Sequence, residues 1–566
     1  MSDSFVPSRA LGVLIALLIA AAWLADIGHR VLQHPDEGRY AEIAREMAAT
    51  GDWVTPRLNG LKYFEKPPLQ YWLTAASFDA FGVSEWSARL WPALAGLVGV
   101  AAIAWAGACL GGTSFGWTAG LALSGMLWQI ALSQILTLDA LLGAFLAIGF
   151  AAFVVAQRTQ STDVVRRRAM WLTWAAMAGA TLTKGLIGIV LPGGALVLYT
   201  LIARDFTLWR RLHLRTGLLI YFAVTAPWFV LVSARNPQFA SFFFVHEHFQ
   251  RFLTTTHRRT GSVFYFVPLL LAGALPWTVL LLAYAHRVWR DGMPNALGFS
   301  WQRFALVWSA FVFVFFSASS SKLPSYILPM FAPLALVAGW LLLRLSTRDL
   351  LRVVAPLVVI GVALAIAAIT AYWQIAAPFA EDKQASQALL SFGVFVKVAL
   401  GCAAAGGVIG WFLLRRGSPR ARFGAIATFA LSTLVATQVI VAGLDSFRHT
   451  RSAYDILREA GAAPDNAAAM HTASIPFYQV RMYDQTVPFY LRRTTRAVEF
   501  EDELALGIEA QPELAVDTVE RWLPEWRNIA AGFAIMSAAD YEAFARIGLP
   551  MKLLARDGRR AIVSRR

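Results

Sequence analysis

The chain has 566 residues, of which 57% are hydrophobic and 15% charged, and its mean hydropathy is +0.54. Those values exclude an ordinary water-soluble globular domain, and so much lipid-compatible sequence argues against a nucleic-acid partner despite a formal net charge of +15; a polytopic membrane protein is the class that fits. Cys109 and Cys402 both fall in apolar segments, so the water-facing parts have no cysteine with which to form a disulfide.

Apolar runs long enough to cross about 30 Å of hydrocarbon begin near residues 10, 88, 114, 136, 170, 187, 215, 262, 303, 323, 351, 394 and 424, giving roughly thirteen spans. The first run, residues 10–25, has no small-residue cleavage site after it and reads as a retained helix. Then comes HPDEGRYAEIAREMAATGDWVTPRLNGLKYFEKPPLQYW, residues 34–72, too rich in polar chemistry for a plain connector. It carries the carboxylates Asp36, Glu37 and Glu65, the cations Arg39, Lys62 and Lys66, and the amphipathic aromatics Tyr40, Trp53, Tyr63 and Trp72. Tyr40, Ile43, Ala44 and Met47 recur at helical spacing opposite Glu42, Arg45 and Glu46, which predicts an amphipathic helix lying on the membrane surface. Asp36 and Glu37 at its start are either helix caps or a general base or charge stabiliser facing a cavity. Glu65-Lys66-Pro67-Pro68 forms a second polar site on backbone that the prolines hold extended.

Asp139 and Lys184 sit at span ends, where a charge is costly and marks function; a helix cap and a snorkelling lysine are the plainer readings. The loop of residues 235–261 interleaves Phe242, Phe243, Phe244, Phe249 and Phe252 with His246, His248 and Arg251 and reads as interfacial. Glu65 and His246, with His248, are candidate ligands for a divalent metal ion, although the spacing is not diagnostic and no HExxH pattern is present. In SASSSKLPSYILP, residues 317–329, Lys322 and Tyr326 are four apart and predict a shared helix face. A cation and a phenol at that depth suit a lipid phosphate, or an interfacial anchor pair.

Orientation follows from arginine. Arg158 and Arg166–Arg168, then Arg204–Arg215, Arg287–Arg303, Arg344–Arg352 and Arg415–Arg422 mark alternate connections, which are cytoplasmic by the positive-inside rule. The N-terminus is then inside, while the loops at 26–87 and 235–261 and the tail share the external face. From Asp445 onward charged residues return and apolar runs shorten, so the chain divides into a membrane domain, 1–444, and a small soluble α/β domain, 445–566. Asp557-Gly558 between two short apolar runs predicts a terminal hairpin. No internal repeat is visible, and the charges gather at one face; both weigh against a lipid-linked sugar flippase or transporter.

The first-loop pattern, with LDALL at 138, LTKG at 182 and KLPSYILP at 322, resembles the bacterial dolichyl-phosphate-mannose-protein mannosyltransferase-like enzymes, and within them the undecaprenyl phosphate 4-amino-4-deoxy-L-arabinose lipid A transferases. The resemblance implies an α-helical C-type membrane glycosyltransferase with a periplasmic α/β domain, in the Gram-negative inner membrane. It implies an undecaprenyl phosphate-linked sugar as donor, lipid A as acceptor, and an inverting pentosyl transfer with no nucleotide sugar. Asp36 falls on the family's catalytic aspartate, and Asp139 and Glu65 would line the sugar site. Lys66, Arg251 and Tyr326 would hold the departing lipid phosphate, with Glu37, Arg39, Tyr40, Tyr63, Lys184 and Lys322 around the substrate cavity. No cofactor is required, with a divalent metal ion as the one addition the residues would allow. A related transferase acting on a hydroxyl of protein or glycan is the alternative.

Overall fold

The computed structural model of the chain describes residues 5–244, 261–379, 383–462 and 464–565. Each of the apolar runs read from the sequence falls on helix, and eight helices among the described residues are long and apolar enough to cross a membrane, or nine if a bent pair counts as one span. The bent pair is Val263–Gly273 and Thr278–Asp291, which meet at 106°. Two further apolar helices, Arg9–Leu24 (α1) and Ile187–Ala203, are shorter, and the run near 114 is broken into Thr113–Ser124 and Leu127–Leu132.

The helices form two units, and the second contains more than the residues from about 445 onward. One unit comprises Met1–Ile27, Trp91–Ile375 and Gly393–Gly443; the other comprises Gly28–Leu90, Ala376–Phe392 and Leu444–Arg566. The first water-facing loop therefore folds with the C-terminal domain. This follows from its chemistry: α2 (Asp36–Thr50) carries charge on one face and apolar side chains on the other, and only a partner able to satisfy both kinds of group can bury it.

In the membrane unit, Leu138–Ala156 and Asp163–Lys184 form an antiparallel hairpin. Close packing is set by small residues: Gly179 lies against the ring of Phe145, and Thr173 Oγ1 donates to the Gly149 carbonyl at 3.4 Å. The first helix starts where the second ends, so Asp139 and Lys184 share one end of the pair. At the opposite end Phe5, Gly111, Trp301, Arg344 and Arg422 line one cavity. That grouping joins the N-terminal segment to the arginine-bearing connections, as the alternation in the sequence requires.

The second unit contains a six-stranded sheet of order β5-β4-β3-β6-β8-β7, built from β3 (Phe477–Val480), β4 (Arg496–Val498), β5 (Ala515–Val516), β6 (Phe533–Ser537), β7 (Lys552–Arg556) and β8 (Arg560–Ser564). β3, β4, β5 and β6 run parallel, and β8 pairs antiparallel with β6 and β7. The Asp557-Gly558 turn joins β7 to β8 as expected. Strand alternation divides the core: Phe477, Phe533, Ile535 and Ile562 pack on one side, while Tyr478, Val480, Ala534, Met536 and Val563 pack with Trp522 and Trp526 on the other. Coverage of both faces explains why FAIM reads as an unbroken apolar run. A separate two-stranded ribbon, β1 (Arg57–Leu58) and β2 (Leu61–Lys62), turns through Asn59-Gly60 within the first loop.

Candidate active site

The N-terminus of α2 is built around a buried ion pair. Glu37 is 3% exposed, and both its oxygens accept from Arg89, at 2.7 Å from Nε and 2.8 Å from Nη2. Arg89, fully buried in the helix Glu85–Gly111, also donates to the carbonyls of Arg30 and Val31, and the Gln33 N–H donates to Glu37. Glu37 is thereby a structural tie between α2, the start of that helix and the preceding loop. The expectation that it lines the substrate cavity is corrected, because its oxygens are committed to donors inside the protein. The charge-in-a-span rule that singles out Lys184 applies equally to Arg89, and this was the available clue.

Asp36, one residue earlier, points the other way. Its side chain is 38% exposed and accepts at 2.8 Å from Arg39 Nη1. No side chain caps this helix through a hydrogen bond; the carboxylate is held by Arg39, and Arg39 is itself anchored through Nε to Glu503 in the C-terminal segment. Burial pushes the Glu503 carboxyl up while Arg39 pulls it down. Around this pair are Tyr40, Tyr63, Glu65 and Tyr71. The Tyr40 and Tyr71 rings are 6.0 Å apart, and Asp36 and Glu65 both act electrostatically on Tyr71. Tyr63 and Tyr71 are buried, and neither hydroxyl has a hydrogen-bond partner among the described residues. Burial, then the charge of Glu65 for Tyr63 and the neighbouring Tyr40 for Tyr71, pushes both phenols up, so they remain neutral donors. Lys66 donates to the Glu65 carbonyl at 2.8 Å and stands 3.8 Å from its carboxylate. Tyr71 and Glu503 were not foreseen: one reads as an ordinary helix aromatic, and the other is remote in sequence.

α2 does not lie on a surface. Its polar face is as buried as its apolar face: Glu42, Arg45 and Glu46 are all inside. Arg45 makes a bidentate pair with Glu42, both bonds at 2.6 Å, and donates to the Arg492 carbonyl at 3.3 Å. Glu46 accepts from the Gly60 N–H at 2.8 Å, and burial beside the Glu42 charge pushes its carboxyl up to about 8. Close approach at the start of α2 requires Gly38, where a Cβ would lie 2.8 Å from the backbone of Gln485 and Thr486.

In the membrane unit the pair Asp139–Lys184 is formed, with Nζ 2.5 Å from Oδ1, and Lys184 Nζ also stands 4.8 Å over the Tyr326 ring. Asp139 occupies the first turn of its helix and Lys184 the last turn of its own, each matching the local helix dipole. Gly185, at φ 81°, ends the second helix immediately after the lysine. Both plainer readings thus hold in part, yet the ions meet each other and a phenol. Lys322 and Tyr326 do not share a helix face: Lys322 precedes the 3-10 helix Pro324–Met330. Its ammonium donates to the carbonyls of Phe316, Ser317 and Ser319, closing the end of Trp301–Ala318. With those acceptors in place it serves the helix end more than a cavity. Phe239 and Phe243 stack at 5.3 Å and are buried in the membrane unit, so the start of the 235–261 loop packs inward. Arg251, His246 and His248 lie outside the described residues. Among the described residues no group of three metal-type side chains comes together.

Two family models match the chain. Residues 11–248 match the dolichyl-phosphate-mannose-protein mannosyltransferase model, and residues 465–565 match the aminoarabinose transferase C-terminal domain. Undecaprenyl phosphate-alpha-4-amino-4-deoxy-L-arabinose arabinosyl transferase of Erwinia tasmaniensis is 31% identical over 70% of this chain and 72% of the relative. The chain belongs to this arabinosyl transferase family. The same-named protein of Shewanella sediminis is 34% identical over 58% of the chain, a match that spans 59% of that relative's length. The crystal structure of ArnT from Cupriavidus metallidurans bound to undecaprenyl phosphate is similar over 99% of both chains, with a TM-score of 0.89 and 37% identity. An oligosaccharyltransferase from Archaeoglobus fulgidus shares the fold at a TM-score of 0.51 and 10% identity. The chain is therefore a multi-pass membrane protein of glycosyltransferase type.

Proposed function

We propose that this protein moves 4-amino-4-deoxy-L-arabinose from undecaprenyl phosphate to a phosphate of lipid A, at the periplasmic face of the Gram-negative inner membrane. The observation that carries the reading is end-to-end likeness to a transferase crystallised with undecaprenyl phosphate, together with an exposed Asp36 held at a helix start by Arg39. In the reaction an oxygen of the acceptor phosphate attacks the anomeric carbon, the carbon–oxygen bond to the carrier breaks, and the carrier leaves as its phosphate. Attack opposite the leaving group inverts the centre.

An ionised phosphate needs no base to become nucleophilic, so Asp36 orients the acceptor or balances positive charge on the sugar ring. Lys66, Arg251 and Tyr326 are assigned to the departing lipid phosphate, whose neutralisation is the largest electrostatic contribution. Asp139, paired with Lys184, and Glu65 are assigned to the sugar, as the carboxylates to meet its amino group. A divalent metal ion held by Glu65 and His246 is a further proposal, tested by activity after chelation and readdition. The match of residues 11–248 to a protein mannosyltransferase model favours one second reading, a hydroxyl acceptor on protein or glycan, for which Asp36 would be a strict general base.

The experiment is expression in a transferase-deficient Gram-negative strain that makes the donor, followed by mass analysis of lipid A. An aminoarabinose increment that disappears in Asp36→Asn supports the proposal. No increment from well-folded protein overturns the lipid A assignment, and a sugar-modified protein or glycan in its place establishes the second reading.

A further inference from the structure

The cavity at the arginine-bearing end of the membrane unit has about 790 Å³ of space and belongs to neither ionic cluster described above. It opens at the end of the helices opposite to Asp139 and Lys184. Arg344 and Arg422 are its ionic side chains, and among the described residues no carboxylate lines it. The two cations are placed differently. Arg422 is half-buried and anchored, with Nε on the Leu342 carbonyl at 2.9 Å and Nη2 on that of Leu345 at 2.7 Å. Arg344 is exposed and stacks on Trp340 at 4.8 Å, free to turn its guanidinium toward a ligand. Helices starting at Thr113, Trp301, Thr347 and Pro419 all begin at the rim, adding the positive ends of their dipoles to the two arginines. The hydroxyls of Ser114 and Thr347 supply further donors.

The remainder of the wall is aromatic and aliphatic, with Phe5, Phe115, Trp301, Trp340 and Phe423 among its residues. The volume is within the range of about 300–1,000 Å³ typical of small-ligand sites, and an inorganic phosphate would leave most of it unfilled. A cationic floor with an apolar wall, at the level where transmembrane helices end, matches a phosphate headgroup carrying acyl chains. We propose that this cavity binds the phosphate headgroup of an anionic glycerophospholipid, with Arg344 as the adjustable contact and Arg422 as the fixed one. The bound lipid would brace the ends of four helices on the face opposite the ionic pair. Interfacial anionic lipid thereby becomes a stabilising ligand of the fold, in addition to the carrier lipid of the reaction.

The test uses the full chain purified in detergent. Thermal unfolding and native mass spectrometry are followed with added dioleoylphosphatidylglycerol, dioleoylphosphatidylcholine or inorganic phosphate. Phosphatidylglycerol is expected to raise the midpoint and remain bound in the gas phase, phosphatidylcholine at the same mole fraction to do neither, and Arg344→Gln to weaken phosphatidylglycerol about fivefold. Ser114→Asp, which places a carboxylate at a helix start where it suits the dipole, is expected to weaken binding similarly. Equal shifts from the two lipids, or no loss in either variant, overturn the proposal. An equal shift from inorganic phosphate replaces the lipid with a free anion. Loss of the bound phosphatidylglycerol on adding undecaprenyl phosphate assigns it to the donor site instead.

Discussion

The protein holds two sets of buried or half-buried ions, and they are satisfied in opposite ways. Around α2, the carboxylates draw on donors from several stretches of the chain: Arg89 for Glu37, Arg39 and Gln485 for Glu503, Arg45 for Glu42 and the Gly60 N–H for Glu46. In the membrane unit, Asp139 and Lys184 rely chiefly on each other, with the Tyr326 ring and two helix dipoles as support. A network distributes the cost of desolvation over many hydrogen bonds. An isolated pair in apolar surroundings gives no such distribution, and it is retained where its charges are needed. The first arrangement is that of a scaffold, with Asp36 as its exposed tip; the second is that of a poised charge.

Glu37→Ala breaks the comparison most severely. It strands Arg89, which is fully buried, and breaking such a pair costs on the order of 3–5 kcal/mol. The expected outcome is a collapse in yield of folded protein and a midpoint lowered by many degrees, read by thermal unfolding in detergent. Asp36→Asn, one residue away, is the contrast. Its carboxylate is over a third exposed, so the midpoint should barely move, while transfer to lipid A falls by about a hundredfold or more. Equal loss of stability in the two variants would show that both residues belong to the scaffold.

Asp139 and Lys184 sharpen the other half. Asp139→Asn and Lys184→Met each leave one charge without its partner and should lower both stability and transfer, the latter about tenfold. In the double variant no unpaired charge remains. Stability should return, and transfer should not. Recovery of transfer in the double variant, measured by the lipid A mass assay, would reduce the pair to a structural role.

The two halves also differ in how far the sequence discloses them. Hydropathy alone locates Asp139 and Lys184, since a charge at the end of an apolar run is rare, and the first-loop motif marks Asp36. The helical period of residues 40–47 correctly predicts α2, but the same period implies a wet polar face, and that is wrong. Its burial is produced by Glu503, Gln485 and Arg492, more than 400 residues downstream, and no local pattern encodes such a partner. The alternation of arginines foretells which helix ends gather, as the cavity at Arg344 and Arg422 shows. For Lys322 the spacing to Tyr326 suggested a shared helix, whereas Leu323-Pro324 starts a 3-10 turn after the lysine and frees it to close the preceding helix.

The effect most specific to a networked carboxylate is expected at Glu46, and it shows as a pH dependence. Burial and the charge of Glu42 hold its proton up to about pH 8 in the folded protein, while in the unfolded chain the group ionises in the ordinary carboxylate range near 4.3. Below that range both states are protonated, and the stabilising contribution is fully present. Between about 4.3 and 8 the folded state keeps a proton that the unfolded state has lost, so stability falls as pH rises, by about 1.4 kcal/mol per unit for one group. Above about 8 both states are ionised and the contribution is gone. Glu46→Gln keeps an oxygen for the Gly60 N–H and cannot ionise, so it should flatten the pH dependence of the unfolding midpoint across that window while changing little under acid conditions. An unchanged slope would mean that Glu46 is already ionised in the fold and that Arg45 neutralises both carboxylates, which would make this cluster resemble the lone pair in the membrane unit.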